Sequence, residues 1–443
     1  MGEHDAKAAT SFRKPTNDVS EEFSSNAVRL SGRHWAIATG IVVATLLLLP
    51  WAEQRMEPFR PSVDYRIPYV YSEDYWLYAR YAKYASSRYP VAVIGDSVMW
   101  GHYVAPRATL PHFLNQEAGT DLFANLGLDG TRQVALTGLI KYYAGDISKH
   151  GVLLHLNPLW MSSPDADMSR QEGPADGERG VLSPLRKLVA REGQDEEQAV
   201  RLNHVPLVPQ LFSRPYGYQP TFGEMAGVSI ERHIPYFTWL RHMRMVYYEN
   251  LGIESWSLSN PYSNPLGVIS LKVRAPDDAP QGRPAPWFEG GVEQQDFPWV
   301  ALDESYQWRF LKEAVGILRA RGNQVFVLLG PINTHLMTEA SSQTYSQLKG
   351  EMQVWLNAQG IPYYAPPLLA SALYADASHP LRDGYAELAR QLFQYEPFRD
   401  WLDEVGAHEG ALAAVAHRIR RSRSAARGRG LKHRPRLTST YGQ

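Results

Sequence analysis

Short apolar runs alternate with amphipathic stretches over residues 89–400 of this chain. Five of the runs are typical of buried strands, because each is short and is bounded by turn-forming residues. They are Val91–Ile94, 122–126, Gly151–Leu156, Gln324–Leu329 and 361–364. Apolar residues at helical spacing occur at 303–321, just before residue 361, and from Asp383 onward. This alternation of strand and helix predicts an α/β fold with a parallel sheet.

A longer apolar run stands near the N-terminus. Residues 35–51 read WAIATGIVVATLLLLPW, which is 17 residues without a charge. As a helix they would extend about 26 Å, near the lower limit for crossing a bilayer. Tryptophan at both ends suits the membrane–water interface, and the preceding Arg29 and Arg33 favour a cytoplasmic N-terminus. We therefore expect a single-pass membrane anchor.

Two alternatives to an anchor are a cleaved signal peptide and a buried core helix. The signal peptide fits poorly, because the leader before the apolar run has 34 residues and no A-x-A-like cleavage site follows it. That leader, residues 1–34, is polar and is expected to be disordered in the cytoplasm.

Two segments flank the region of alternation. Residues 52–88 are rich in aromatic residues and predict a juxtamembrane helix packed on the following domain, with a sugar-stacking platform as the alternative. Residues 401–443 predict a C-terminal helix and a basic tail. The tail either touches anionic lipid or an acidic glycan, or is simply solvated.

A long insertion, residues 165–300, separates the third predicted strand from the fourth. It contains a charged helix candidate near 184–202, an amphipathic one near 232–250 and a loop rich in proline and glycine over 264–291. Insertions of this length usually serve as lids, substrate walls or partner surfaces. The amphipathic segment either lies against a membrane surface or packs in the ordinary way.

The amino-acid composition and the motifs that the sequence lacks exclude several kinds of functional site. Cysteine is absent, which excludes a disulfide framework, a thiolate metal site and a cysteine nucleophile. The sequence has no phosphate-binding loop or dinucleotide fingerprint, and no cluster of residues with metal-ligand spacing. Neither a cofactor nor a metal is therefore expected. The formal net charge of −1 indicates no class of partner, and we expect no nucleic acid.

The most informative residue is the serine that follows the first predicted strand. Val91–Ile94 is followed by Gly95, Asp96 and Ser97. Ligands of open α/β sheets bind in a crevice beyond the carboxyl ends of the strands. The sequence therefore places the Ser97 hydroxyl at a crevice, where it needs an adjacent base to become a useful nucleophile.

Three later motifs follow this serine along the chain. They are NLGLDG at 125–130, HLNP at 155–158 and DASHP at 376–380. Together with Gly95-Asp96-Ser97, their order resembles the blocks of the SGNH/GDSL hydrolase family, over residues 89–165 and 300–396. The resemblance implies a flavodoxin-like three-layer α/β/α fold with a parallel central sheet, here with one N-terminal transmembrane helix added.

The resemblance also implies a catalytic triad. Ser97 would attack an ester carbonyl. His379 would remove the serine proton and later return it to the leaving alcohol. Asp376 would hold the imidazole tautomer and stabilise the imidazolium, as in other Ser-His-Asp enzymes.

An oxyanion hole is implied as well, formed by the backbone N–H groups of Ser97 and Gly130 and the side-chain amide of Asn157. Gly127 is the alternative to Gly130. Val98 replaces the leucine that usually follows the serine. The third block lacks the usual glycine and second acid, so the hole and the substrate could differ from those of simple esterases.

Other polar residues lie near the predicted crevice. Asn333 and His335 follow the fourth strand, where they are candidates for substrate contact; His335 could instead cap the next helix. His155 lies within an apolar strand and is interpreted as a hydrogen-bonded core residue.

These features predict a membrane-anchored, extracytoplasmic serine esterase that removes O-acyl groups from a glycan or cell-envelope polymer through an acyl-enzyme. The expected location is the bacterial cytoplasmic (inner) membrane, with residues 89–400 as a periplasmic catalytic domain. One alternative is an O-acyltransferase that modifies an envelope polysaccharide beside a multi-span acyltransferase partner. The other is a non-catalytic glycan-binding scaffold.

Overall fold

A computed structural model describes residues 31–56, 59–72, 74–169, 230, 233–249, 252–264 and 278–406. Three regions of the sequence analysis lie outside the described residues. These are the leader before residue 31, the charged helix candidate at 184–202 and the basic tail beyond residue 406.

All five predicted strands are present. They are β1 (Val91–Ile94), β2 (Phe123–Asn125), β3 (Gly151–Leu156), β4 (Gln324–Leu329) and β5 (Tyr363–Tyr364). They form a parallel sheet in the order β2-β1-β3-β4-β5. The fifth strand is shorter than expected, because only Tyr363 and Tyr364 have partners on β4. The predicted α/β fold with a parallel sheet is confirmed.

The predicted helices between the strands are also present, and others join them. The described helices are α1 (Gly32–Met56), α2 (Tyr75–Arg88), α3 (Ser97–Trp100), α4 (Leu110–Ala118), α5 (Gln133–Tyr142), α6 (Pro164–Asp167), α7 (Pro235–Met243), α8 (Ile253–Ser259), α9 (Tyr306–Ala320), α10 (Glu339–Ala358) and α11 (Arg382–Gln394). Residues 396–406 are helical as well. Helix α9 begins later than the predicted residue 303, because the Ser305 hydroxyl caps it by accepting a hydrogen bond from the Trp308 N–H.

Helices cover both faces of the sheet. Ala92 and Ile94 point into one apolar core, which they share with residues of α2, α5, α9 and α10. Val91 and Val93 point into a second core, with residues of α4 and α11. Connections run to opposite sides of β1, so a crevice opens beyond the carboxyl ends of β1 and β3.

Helix α1 contains the predicted anchor and extends beyond it at both ends. Its apolar part, Gly32–Glu53, has a mean hydropathy of 1.9, and only 6% of its most apolar 18-residue stretch is buried. By length and composition this helix could cross a membrane. Its last turns are attached to the domain, because Glu53 is buried and forms an ion pair with Arg80 of α2 at 3.1 Å.

The aromatic segment after α1 lies largely inside the domain. Tyr75, Tyr78 and Tyr81 of α2 are each about 1% exposed and belong to the first core. Rings buried in this way contribute packing energy, and they present no face on which a sugar could stack.

The described part of the insertion packs against the N-terminal helices. Helix α7 contacts both α1 and α2, and its His242 Nδ1 lies 2.5 Å from the Asp74 Oδ2 that precedes α2. Helix α7 ends earlier than the amphipathic stretch predicted near 232–250, because the backbone continues as a π-helical turn at Arg244–Glu249.

Candidate active site

Close packing at the end of β1 positions Ser97. Gly95 turns the chain out of the strand, and Ser97 begins α3, whose first turn is capped by the Asp96 carboxylate accepting from the Val98 N–H at 3.0 Å. A Cβ on Gly95 would lie 2.7 Å from the His155 Cβ and 2.4 Å from the Met99 Cγ. Only glycine therefore lets the serine turn lie this close to β3.

The Gly95→Ala substitution is expected to lower the free energy of unfolding by about 1–3 kcal/mol, because the added methyl group overpacks a site without space. Thermal unfolding of the full chain in detergent measures the effect. Gly145→Ala is the matched control, since no atom lies within 4 Å of the Cβ it would add. Equal stability of the two variants would contradict the packing explanation.

The three residues of the predicted triad meet at the crevice. The His379 Nε2 lies 2.8 Å from the Ser97 Oγ, and the His379 Nδ1 lies 2.8 Å from Oδ2 of Asp376. Asp376 Oδ1 accepts hydrogen bonds from the backbone N–H groups of Ser378 at 2.9 Å and His379 at 2.8 Å. A loop before α11 thus supplies both acid and base, although 282 positions separate Ser97 from His379.

The surroundings shift both titrating groups toward a charged pair. Burial alone would lower the pKa of His379, but the charge and hydrogen bond of Asp376 outweigh burial and raise it. Burial alone would raise the pKa of Asp376, yet the pKa lies well below its usual range because His379 and two backbone N–H groups favour the carboxylate. Asp376 is therefore ionised at neutral pH, and His379 is a stronger base than an isolated histidine.

This arrangement predicts how the reactivity of Ser97 depends on pH. Only neutral His379 can accept the serine proton, and its raised pKa keeps the imidazolium present to higher pH. The rate of Ser97 labelling by a fluorophosphonate is therefore expected to rise with pH along a limb centred above about 6.5, the ordinary histidine value. A limb centred below that value would contradict the assignment of His379 as the base.

The predicted oxyanion donors differ in whether their N–H groups already donate to an acceptor within the protein. The Gly127 N–H donates to the Asn125 Oδ1 at 3.0 Å. Gly130 has a positive φ of 68°, and its N–H meets no acceptor among the residues the structure describes. The Asn157 amide donates to Asp96 Oδ2 at 2.7 Å, which leaves its second hydrogen with only a 3.4 Å contact to the Ser378 Oγ. These contacts favour Gly130 over Gly127, and the oxyanion roles stay predictions.

Asp96 caps the turn at Ser97 and also contacts three side chains from β3 and the residues that follow it. Its buried carboxylate accepts from the Asn157 amide and from the Trp160 Nε1–H at 2.9 Å, and His155 Nδ1 lies 3.0 Å from Oδ1. Burial raises the pKa of Asp96, but the charge of His155 and the hydrogen bonds outweigh it and lower the pKa. Asp96 therefore joins the first and third motif blocks behind Ser97, which sequence reasoning missed.

The two polar residues after β4, Asn333 and His335, form hydrogen bonds to neighbouring loops. Asn333 is 0% exposed, its Nδ2 donates to the Asp376 carbonyl at 3.0 Å, and its N–H donates to the Ala377 carbonyl at 2.8 Å. The buried side chain of Asn333 is thus turned inward and braces the triad loop, and contact of Asn333 with substrate stays a prediction. His335 bonds the Leu369 carbonyl at 3.0 Å, and Thr338 caps the next helix instead.

Two aromatic residues after α3 also reach the triad. The ring centroids of His102 and Tyr103 each lie 5.5 Å from that of His379. Burial raises the pKa of Tyr103, and so do the charge of Asp376 and a hydrogen bond with it, so the phenol stays protonated beside the carboxylate. His102 Nδ1 lies 2.9 Å from both carboxylate oxygens of Asp129.

A buried arginine supports this loop from behind. Arg66 is 0% exposed, and its Nη1 donates to the carbonyls of Trp100, Gly101 and Val104 at 2.9, 2.7 and 3.0 Å. Its Nε donates to Asp278 Oδ1 at 2.8 Å, and its Nη2 donates to the Asp278 carbonyl at 3.1 Å. One guanidinium therefore joins the segment after α1, the loop after Ser97 and the insertion.

Comparison with known proteins adds no further constraint. No protein-family model matches this chain. No curated protein matches it either. Within the described ranges, no group of three acidic, histidine or cysteine side chains is arranged to hold a metal ion.

Proposed function

We propose that this chain is a serine esterase of the SGNH/GDSL type, anchored in the bacterial cytoplasmic membrane and acting on its periplasmic side. The observation that carries the proposal is the unbroken series of contacts from Ser97 through His379 to Asp376 at the carboxyl edge of a parallel sheet. Five parallel strands with helices on both faces are compatible with the three-layer SGNH-hydrolase fold of flavodoxin-like type.

In the first half of the reaction Ser97 becomes acylated. His379 Nε2, 2.8 Å from the Ser97 hydroxyl, takes its proton as Oγ attacks the ester carbonyl carbon. The oxyanion of the tetrahedral intermediate is held by the N–H groups of Ser97 and Gly130 and by the Asn157 amide. Each such donor typically contributes about 100- to 1000-fold in rate. The intermediate collapses as the bond to the leaving oxygen breaks, and His379 returns the proton to that alcohol.

In the second half, water resolves the acyl-enzyme. His379 takes a proton from the water molecule while its oxygen attacks the acyl carbonyl carbon. The second tetrahedral intermediate then expels the Ser97 oxygen, which regains the proton from His379. The products are a carboxylic acid and free enzyme, so the cycle requires no cofactor.

The substrate class follows from the proposed location. Helix α1 has a composition suited to a membrane, and basic residues precede it. A domain held on the outer side meets the carbohydrates and polymers of the envelope. O-acyl groups on such a carbohydrate are therefore the proposed substrates.

A second candidate function is O-acyl transfer to an envelope polysaccharide, with a multi-span membrane partner supplying acyl groups. It is favoured by the segment 281–287, which joins the loops on two sides of the triad. The Gln281 N–H donates to the His102 carbonyl at 2.8 Å, and the Trp287 N–H donates to the Tyr374 carbonyl at 3.0 Å. The segment thus forms a wall beside the triad, where a bound sugar hydroxyl in place of water would turn the same acyl-enzyme chemistry into transfer.

The test uses the full chain in detergent, incubated with a fluorophosphonate probe and with p-nitrophenyl acetate. Labelling and hydrolysis are expected in the wild-type protein and in Ser346→Ala, which alters an exposed serine of α10. Both are expected to vanish in Ser97→Ala.

The outcomes separate the candidate functions. Absence of labelling in the wild-type protein would reject both enzymes and favour a non-catalytic scaffold. Acetyl transfer to an added oligosaccharide that outpaces hydrolysis would favour the transferase over the esterase.

A further inference from the structure

A second histidine–aspartate pair stands beside the triad and has no part in the mechanism above. Asp129 Oδ1 and Oδ2 both lie 2.9 Å from the Nδ1 of His102. The Asp129 side chain is 4% exposed, whereas that of His102 is 27% exposed. The buried carboxylate therefore orients an imidazole that is open to the crevice, as Asp376 orients His379.

The position of His102 places it next to the reacting atoms. Its ring centroid lies 5.5 Å from that of His379. Its backbone N–H donates to the Ser97 carbonyl at 3.1 Å, which ties the residue to the nucleophile turn. A group bound to His102 would thus lie close to the leaving oxygen that His379 protonates.

Segment 281–287 fixes the outer wall of this position. The Gln281 N–H donates to the His102 carbonyl at 2.8 Å. A Cβ on Gly282 would lie 2.1 Å from the Tyr103 ring, so the segment is packed against that ring without space between them. His102 is consequently held in place from both sides.

The chemistry of the pair selects a hydroxyl group as ligand. A carboxylate only accepts hydrogen bonds, so the Nδ1 of His102 carries a proton, and the Nε2 is an acceptor whenever the ring holds that proton alone. No residue in the described part of the chain bonds this Nε2. A hydroxyl on the carbon adjacent to the one that bears the ester oxygen would donate to it, because vicinal oxygens of a sugar are separated by roughly one hydrogen-bond length.

We propose that His102, oriented by Asp129, binds the free hydroxyl adjacent to the acylated oxygen, so that the site takes monoesters of vicinal diols such as partly acylated sugars. This inference rests on the proposed function and names the substrate class of the same site. It holds for hydrolysis and for transfer alike, since the leaving sugar of one reaction occupies the place of the accepting sugar in the other.

The test compares two small esters on the full chain in detergent: cyclohexyl acetate and cis-1,2-cyclohexanediol monoacetate. They differ only in the neighbouring hydroxyl. The wild-type protein is expected to prefer the diol monoester by about 3- to 10-fold in kcat/KM, the usual size of one neutral hydrogen bond. His102→Phe keeps a ring but removes the acceptor, and is expected to reduce the preference to below about two-fold.

Two further variants support the interpretation. His102→Gln retains an acceptor oxygen and is expected to keep part of the preference. In Asp129→Asn the side-chain amide can donate as well as accept, so it no longer keeps the His102 proton on Nδ1. This variant is expected to reduce the preference. The preference is the ratio of kcat/KM for the two esters, measured on the same preparation of one variant. A lower fraction of folded protein reduces both values equally and leaves the ratio unchanged.

His112→Phe is the matched control. It removes a histidine of a comparable pair, with Nδ1 2.7 Å from Asp64 Oδ1, on helix α4. It is expected to keep the full preference. A wild-type protein without preference, or a His102→Phe variant that keeps it, would overturn the inference. Absence of both Ser97 labelling and ester turnover in the wild-type protein would instead reject the proposed function.

Discussion

Replacing Ser97 with alanine is expected to lower kcat/KM for an O-acyl ester by about 10⁴- to 10⁶-fold, the range found when a nucleophile of a Ser-His-Asp triad is removed. The loss is large because no covalent intermediate can then form at the hydroxyl that lies 2.8 Å from the Nε2 of His379, the proposed base. Hydrolysis of p-nitrophenyl acetate by the purified protein measures the effect.

The same experiment tests whether the two residues act as one unit. His379→Ala is expected to cost nearly as much as Ser97→Ala, and the double variant is expected to be no slower than either single variant. Additive losses in the double variant would show that Ser97 and His379 act independently, which would contradict the proposed mechanism.

Replacing Arg66 with methionine is expected to lower the free energy of unfolding by about 3–5 kcal/mol, because three buried carbonyls lose their donor at a typical cost of about 1–3 kcal/mol each. The substitution would leave the carbonyls of Trp100, Gly101 and Val104 without their donor and would remove the counter-charge of Asp278. Buried acceptors without partners keep their full desolvation cost. Denaturant unfolding of the full chain in detergent measures the difference.

Two variants make this result interpretable. Arg107→Met removes an exposed arginine whose contact with Asp64 is 3.7 Å long, and is expected to change stability by less than about 1 kcal/mol. Arg66→Lys keeps the charge but offers three donors where arginine offers five, so an intermediate loss is expected. Equal stability of Arg66→Met and Arg107→Met would show that the buried network contributes nothing.

The sheet was predictable because four of its strands, β1 to β4, are buried on both faces. A run such as Val91–Ile94 is apolar at every position and ends at Gly95, which leaves little choice of structure. The meeting of Ser97 with His379 was predictable only from the motif resemblance. Spacing along the chain carries no information on contacts between residues so far apart.

Contacts that depend on strand register were missed. His155 lies beside Asp96 because Ile94 pairs with Leu154 in the parallel ladder. His102 meets Asp129 because the loops after β1 and β2 leave the same edge of the sheet. One sequence indicates that such strands exist, but it does not specify how they align.

The direction in which a side chain points could not be predicted from the sequence either. Asn333 follows β4 and so was correctly placed near the crevice, yet its amide turns inward to the Asp376 carbonyl. A polar residue after a strand is compatible with substrate contact and with support of a loop. The packing around it decides between the two.

The attachment of Arg66 also limits how far the proposed active site can lie from the proposed membrane anchor. Arg66, which holds the loop just after Ser97, lies ten positions after Met56, the last residue of α1. A chain of that length extends at most about 36 Å. With α1 in the membrane as proposed, the reacting serine stays within a few nanometres of the lipid surface. The enzyme would then act on polymer emerging from the membrane and would not reach material already deposited farther out.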